Sequence, residues 1–190
     1  MELTALTELD AVNEIISVIG ESPVNTIENL RNVDAIQALQ FLRNVSRREQ
    51  ARGWSFNIIP EHTLTPEAET GYIYWQDNYL SLKGSSGEKL IHSGDYVKEL
   101  STGTIIFDAP ITCEAILLVP FEELPEAMRN YIVTKAAYQF QSRYFGDDSL
   151  TQVTTQEIQE AWTHLQEYEM DNNDYNILDN TYVSNLKQRG

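Results

Sequence analysis

The sequence predicts an α+β fold in which a four-helix core is interrupted by an antiparallel β-sheet or sandwich and followed by an extended C-terminal tail. Three observations support this prediction. Apolar residues recur with the helical period of about 3.6 on both sides of the middle segment, the period there falls to about 2, and turn sequences divide that segment into short runs. The predicted divisions are a discontinuous helical unit at 1–53 and 120–172, a β insert at 54–119, and a tail at 173–190.

Two helices are predicted before the insert. The first covers residues 5–19, with Thr7 as its N-cap and Gly20 as its end. The second runs from about Asn32, which can cap its start, to Arg52. Each has an apolar stripe at helical spacing, which predicts a face packed on the core. The stripes are Leu9, Val12, Ile16 and Ile19 in the first helix and Ala35, Ala38, Leu39, Leu42 and Val45 in the second.

The insert is predicted from short β-branched and aromatic runs separated by glycine-containing turns. The runs are WSFNIIP, YLSLK, KLIHS, YVKEL, TIIF and CEAILLV, and the turns are KGSSGE, HSGD and LSTG. Residues 72–79 are predicted to be an irregular or short helical link. Trp54 and Phe56 follow the second helix directly, and we expect them to seat the insert on the helical core.

Two further helices are predicted after the insert. The segment 124–146 is apolar almost all round, which is typical of a central, buried helix. Pro125 suits its first turn and Gly146 its end. The last helix is predicted at about 154–171. Its core-facing stripe is Ile158, Ala161, Trp162, Leu165 and Tyr168.

The composition favours a folded protein that does not bind nucleic acid through its outer surface. Hydrophobic residues make up 42% of the 190, which excludes global disorder. With 13 Lys plus Arg against 29 Asp plus Glu, the formal charge is −16, and such a surface repels DNA and anionic membranes. Neither a signal peptide nor an apolar run of about 18 residues is present, so we expect no membrane span and folding in a cytoplasm. Cys113 is the sole cysteine, and its apolar neighbours predict a small buried filler.

Metal-binding and catalytic patterns are weak. One side of the last helix carries Glu157, Glu160, His164 and Glu167. A two-metal bundle site needs Glu-x-x-His twice, whereas Glu160 and His164 are four positions apart and no second copy exists. His62 and His92 belong to no recognisable motif, and P-loop and dinucleotide patterns are absent. We therefore expect no cofactor and no enzymatic activity. The alternative is a carboxylate-dependent hydrolase acting on cell-surface polysaccharide, which the many acidic residues leave open.

Residues 169–180, EMDNNDYNILDN, admit three interpretations: a calcium loop, an acidic disordered tail, or a strap that docks on another protein. An EF-hand loop counted from Asp171 would need an acid or amide at its fifth position, Gly at its sixth and Glu at its twelfth. Those positions hold Tyr175, Asn176 and Tyr182, so the calcium interpretation fails. The other two interpretations remain.

Basic residues are concentrated in the second helix. The cluster is Arg43, Arg47, Arg48 and Arg52. Such a patch can contact nucleic acid, but the flanking acids and the charge of −16 oppose that use. We expect these side chains to pair with acids of the same or a neighbouring subunit, where arginine forms bidentate contacts.

Five segments resemble, in order, a known family. They are LDAVNEIISVIGESPVNTIE, REQARGWSFNI, YLSL, LPEAMRNYIVTKAAYQFQSRYFG and EYEMDNNDYNILDN, and they span about residues 3 to 180. They are similar to the tail tubular protein A family, the head-to-tail adaptors or gatekeepers of short-tailed bacteriophages (podoviruses). The resemblance implies a structural virion protein, assembled in the host cytoplasm and located in the virion tail.

The resemblance also implies the partners. Family members form a homo-oligomeric ring, a dodecamer in the virion, between the portal protein and the tail nozzle protein (tail tubular protein B). The ring lines the channel through which the genomic DNA is packaged, retained and ejected. The DNA passes through this lumen without binding specifically to the chain. A plain oligomeric scaffold unrelated to phage is the further alternative.

With the resemblance, the strap is the favoured interpretation of the C-terminal stretch. Its apolar anchors, which we predict to contact the portal, are Tyr175, Ile177, Leu178 and Tyr182. In the insert, the turns at Lys83–Lys89 and His92–Asp95 are candidates for contact with the nozzle. If part of the acidic excess faces the lumen, it lets the duplex slide without sticking.

Overall fold

The computed structural model describes residues 6–145 and 148–172, and within these ranges it confirms the predicted α+β class. The helices lie at both ends and the strands between them. The helices are α1 (Glu8–Ser17), α2 (Val33–Gln50), α3 (Glu126–Phe145) and α4 (Asp148–Asn172); the strands are β1 (Ile58–Leu64), β2 (Tyr79–Gly84), β3 (Leu90–Ser93), β4 (Tyr96–Glu99) and β5 (Ile111–Leu117).

The first two helices begin at the predicted caps. Thr7 accepts a hydrogen bond from the Asp10 backbone N–H, and the Asp10 carboxylate accepts one from the Thr7 N–H, which completes a capping box. The Asn32 side chain accepts from the backbone N–H groups of Asp34 and Ala35 at 2.8 and 3.1 Å. α1 ends at Ser17, earlier than predicted, and the chain reverses at Gly20, whose φ of 79° favours glycine.

α3 lies at the centre of the helical core, as predicted, and α1, α2 and α4 pack around it. Its buried residues point in most directions around the helix: Met128, Tyr131, Ile132, Val133, Ala136, Ala137 and Phe140. The predicted stripes need correction. Leu9, Ile19 and Leu39 are only half-buried, whereas Ala11 and Ile15 are fully buried because α1 contacts both α2 and α3.

The insert contains a three-stranded antiparallel sheet in the order β1-β5-β2, beside a β3–β4 hairpin. Ala115 on the central strand pairs with Ile59 on one side and Leu82 on the other. These strands enclose a second hydrophobic core, and Cys113 is buried in it as predicted. That core is Leu64, Ile73, Tyr79, Leu82, Leu90, Val97, Cys113 and Ala115.

Two details of the insert differ from the prediction, and a third decides between two predicted alternatives. The first strand begins at Ile58, because residues 55–57 form a turn. The segment 72–79 is the irregular link and not the short helix, with isolated bridges from Tyr72 to Ile106 and from Tyr74 to Tyr96 and a turn at 77–78. Residues 104–107 contribute only the bridge at Ile106. The alternating side chains of these segments cover the second core, although their main chains do not form a continuous ladder of hydrogen bonds.

The last helix is longer than predicted, because α4 begins at Asp148 and not near 154. Its buried contacts are made by Ala161 and Leu165, with Ile158 and Trp162 half-buried beside them. The predicted anchors Tyr175, Ile177, Leu178 and Tyr182 lie outside the described residues. Within 6–145 and 148–172, no helix combines the length and the apolarity that crossing a membrane requires.

Candidate assembly surfaces

The helical core and the insert meet at a buried polar junction formed by Gln50, Trp54 and Asn57. The Gln50 side-chain amide donates to the Val119 carbonyl at 3.0 Å and accepts from the Val119 N–H at 2.8 Å. The Asn57 amide donates to the carbonyls of Gln50 and Leu117 and accepts from the Trp54 N–H. Gln50 and Asn57 are 0% and 2% exposed. Buried amides that use both ends in this way hold two elements in one orientation.

The junction also positions Trp54, which packs in the helical core as predicted. Its indole N–H donates to the Glu49 carbonyl at 2.7 Å, and its ring meets Trp162 edge-on at 5.8 Å between centroids. Gly53 precedes it with φ of 80°, and a Cβ there would lie 3.1 Å from the Ile116 side chain. The chain therefore passes from α2 to the insert through a glycine that a larger residue would strain.

The C-terminal end of α4 is tied to the same junction. The Glu169 carboxylate accepts from the Ser55 backbone N–H at 2.7 Å and from the Ser55 hydroxyl at 2.9 Å. The last turn of α4 is therefore held beside the start of the insert.

The buried carboxylate of Glu49, near the C-terminal end of α2, forms ion pairs with three basic side chains. Glu49 is 4% exposed at its side chain and lies 3.0 Å from Lys135, 3.3 Å from Arg52 and 3.5 Å from Arg48. Burial lowers the pKa of Lys135, but hydrogen bonds to Tyr131 and Glu49 outweigh that effect, so its pKa is raised. Arg52 also lies over the Trp162 ring at 4.7 Å, so this arginine belongs to the protomer's own packing.

The other arginines predicted to pair lie on the outer side of α2. Arg43 forms a bidentate contact with Glu8, at 2.8 and 2.9 Å, and this hydrogen bonding raises the pKa of Arg43. Arg48 is exposed apart from its contact with Glu49. Arg47 is exposed, and its side chain has no ion pair within the part of the chain that the structure describes. Pairing across a subunit boundary stays a prediction for all four.

Two grooves border the helical core. A groove of about 380 Å³ runs beside Arg43 and Arg47, over Leu42, Val119 and Phe121. A second groove, of about 650 Å³, lies between α1, α3 and α4, and we call it the acidic groove. Its charged and titratable lining residues are Glu14, Glu157, Glu160 and His164. Desolvation, and secondly the charge of Glu157, raise the pKa of Glu14.

The outer side of the insert carries an aromatic face that the sequence analysis missed. Tyr96 contacts the rings of Tyr72 and Tyr74, at 4.6 and 5.2 Å between centroids. Tyr74 is 47% exposed, and Ile106, paired with Tyr72, is 53% exposed. Ile73, between the two tyrosines, is buried in the second core. The alternation Tyr-Ile-Tyr is the sequence signal for this face, although the segment is predicted only as an irregular or short helical link.

The predicted nozzle-contact turns lie at separate places on the insert. His92–Asp95 forms the tip of the β3–β4 hairpin, next to Tyr96. His92 stacks on Trp75 at 4.8 Å. The turn between β2 and β3, which contains Lys83–Lys89, closes with a hydrogen bond from the Gly84 N–H to the Glu88 carbonyl. Of the two, only the hairpin tip adjoins the aromatic face.

The described residues offer little catalytic chemistry. His62 is hydrogen-bonded to the Tyr79 hydroxyl at 2.9 Å, and His164 faces Glu167 at 3.4 Å. Burial raises the pKa of the Cys113 thiol, which disfavours a reactive thiolate. Within 6–145 and 148–172, no group of three His, Cys, Asp or Glu side chains is placed to hold a metal ion.

Comparison with known proteins identifies the family to which this chain belongs. A family model described as "Tail tubular protein" matches residues 9–175. The chain is also 30% identical over 146 residues to the tail tubular protein A of Klebsiella phage KP34, a match that covers 76% of each chain. The chain therefore belongs to the tail tubular protein family and is a structural protein of a bacteriophage tail.

Proposed function

We propose that this chain is the head-to-tail adaptor: copies form a ring that joins the portal to the tail nozzle and surrounds the path of the genome. The observation that carries the proposal is the pair of separate hydrophobic cores joined by the hydrogen-bonded junction of Gln50, Trp54 and Asn57. A connector must transmit force between two partners, so its two halves need a fixed relation. The cores support the division into a helical unit, 1–53 with 120–172, and an insert, 54–119.

The aromatic face gives the insert a surface for a second tail component. Exposed tyrosines with adjoining aliphatic residues are typical of protein interfaces, because they bury large areas at low entropic cost. The face adjoins the hairpin tip His92–Asp95, already a candidate for nozzle contact. We assign the aromatic face and this tip to the nozzle, and the C-terminal anchors to the portal.

The charge of the chain is consistent with passage of DNA. With a formal charge of −16, copies around a channel repel the phosphate backbone, so the duplex moves through without binding. No catalytic step is needed for this role.

The ring is tested by mixing the purified chain with isolated portal and viewing the particles by negative-stain electron microscopy. The proposal predicts a second collar stacked on one side of the portal. Portal particles that stay unchanged at saturating concentrations of a folded chain would refute it.

The assignment of the tail is tested by truncation after Asn172, which leaves α4 and its contact from Glu169 to Ser55 intact. The truncated chain should fold with unchanged thermal stability and fail to join portal. A full-length chain with Tyr175, Ile177 and Leu178 changed to Ser is the matched control for chain length and should fail as well. Normal joining by both chains would contradict the assignment.

A further inference from the structure

The outer side of α2 presents basic residues at the surface. Arg47 lies about 160° around α2 from the buried Val45 and Glu49, because residues are spaced by about 100° around an α-helix, and it borders the groove that Leu42 also lines. Arg43 is held by Glu8, so Arg47 is the arginine of this side without an ion pair among the described residues. A guanidinium in this position is available to a carboxylate outside the protomer.

The acidic groove has the opposite character. Glu157 and Glu160 project from α4 on one wall and Glu14 from α1 on the other, over a floor that α3 provides. Burial, and secondly the charge of Glu157, raise the pKa of Glu14, so the charged form of this carboxylate is disfavoured in the groove. A cation entering the groove would relieve that repulsion.

The two surfaces lie on opposite sides of the central helix. Asn130, Thr134 and Ala137 form the stripe of α3 that lines the acidic groove. Lys135 and Arg143 instead contact α2, through Glu49 and the Phe41 ring. At about 100° per residue, the midpoint of Lys135 and Arg143 lies roughly 170° from the stripe. α2 and the groove are therefore nearly back to back.

We infer that α2 of one copy docks on the acidic groove of the next copy, with Arg47 placed among Glu14, Glu157 and Glu160. This inference rests on the proposed ring and specifies its subunit contact. Two different, complementary surfaces on opposite sides of a protomer generate a head-to-tail contact, which gives a ring when the rotation between successive copies closes. A symmetric dimer would instead need one self-complementary surface.

Disulfide trapping tests the contact directly. Arg47 and Glu157 are changed to Cys in one chain, in which the buried Cys113 is replaced by Ala. Oxidation on portal-bound rings should give a ladder of linked dimers, trimers and larger species on a non-reducing gel. The matched control pairs Cys at position 47 with Cys at Ser101, an exposed turn residue of the insert, and should give no ladder.

Charge reversal provides a second readout. Arg47→Glu should lower the fraction of chain assembled on portal by about ten-fold or more, because it puts like charges together. Arg31→Glu makes the same change in net charge at an exposed loop residue before α2 and should assemble normally. Combining Arg47→Glu with Glu157→Lys should recover assembly, and thermal unfolding would show that each variant is folded.

The outcomes separate this inference from the proposed function. Rings that form on portal but yield no ladder, or that tolerate Arg47→Glu, would overturn the contact and leave the adaptor role standing. If the unmodified chain forms no collar on portal, the adaptor role itself fails and the contact fails with it.

Discussion

Gln50 shows how much of the architecture depends on single side chains. It lies in the last turn of α2 and is fully buried. Its side-chain amide hydrogen-bonds to both the N–H and the carbonyl of Val119, just after β5, as the main chain of a neighbouring strand would. Gln50 is 0% exposed and Val119 is half-buried, so each group needs the other as its hydrogen-bond partner.

Replacing Gln50 with Leu keeps the volume and removes the hydrogen bonds. The variant leaves the N–H and carbonyl of Val119 unpaired, and we expect the free energy of unfolding to fall by about 2–4 kcal/mol. Urea denaturation measures this change. Gln40→Leu, at an exposed position of the same helix, is the control and should change stability by less than about 0.5 kcal/mol. Equal stability of the two variants would argue against the junction as a determinant of stability.

A second prediction at the scale of single residues concerns Lys135. Changing Lys135 to Met leaves the buried Glu49 with only the longer contacts to Arg48 and Arg52, so we expect a loss of about 1–3 kcal/mol at neutral pH. Folding raises the pKa of Lys135, so its contribution is fully present below the unfolded value of 10.5 and is lost as pH rises through the folded pKa.

Urea unfolding of both proteins at neutral pH and at several values above 10.5 checks this dependence. The difference in stability between wild type and Lys135→Met should shrink at the higher values. Groups that do not contact Lys135 titrate alike in both proteins, so their effects cancel in the difference. A difference that stays constant with pH would show that Lys135 acts by packing alone.

At the scale of elements, the helices were predictable because their signals are local. The caps Thr7 and Asn32 each satisfy N–H groups within three residues, and the apolar all-round pattern of α3 reports its central position. Helix ends were less predictable, since the start of α4 at Asp148 has no apolar stripe of its own.

The insert was harder to predict because its pairings are distant in sequence. The order β1-β5-β2 places the last strand in the middle, and turn residues carry no information about that order. Burial of Ile73 shows which side of the segment 72–74 faces the core, and hence that Tyr72 and Tyr74 face outward. The Arg47 side of α2 and the acidic groove could not be predicted from the sequence. Both depend on how the helices pack on α3, and no single stretch of sequence contains that information.

The aromatic face makes a prediction that belongs to this scale. Changing Tyr74 and Ile106 to Ser removes exposed apolar area without opening the second core, so thermal stability should change little. Binding of purified nozzle protein to chain-loaded portal should weaken by about ten-fold or more, since central aromatic anchors dominate interface energies. The matched control is Leu100→Ser, at an exposed turn residue outside the aromatic face. Unchanged nozzle binding by the double variant would place the nozzle contact elsewhere.

At the scale of the whole molecule, the two cores, the buried junction and the surface charge all suit the proposed adaptor role. We propose that the junction holds the insert in one orientation on the helices, that the two sides of the helical unit suit repetition around an axis, and that the charge of −16 disfavours DNA binding. Membership in the tail tubular protein family places this rigid protomer in a phage tail.

The most direct test is whether this chain is required to link nozzle to portal. Heads that contain portal but lack this chain are incubated with labelled nozzle protein, with and without added chain, and nozzle is measured in the sedimented heads. We predict that nozzle sediments with heads only when the chain is added, and that Arg47→Glu lowers this recruitment by about ten-fold or more. Equal nozzle binding in the absence of the chain would contradict the account.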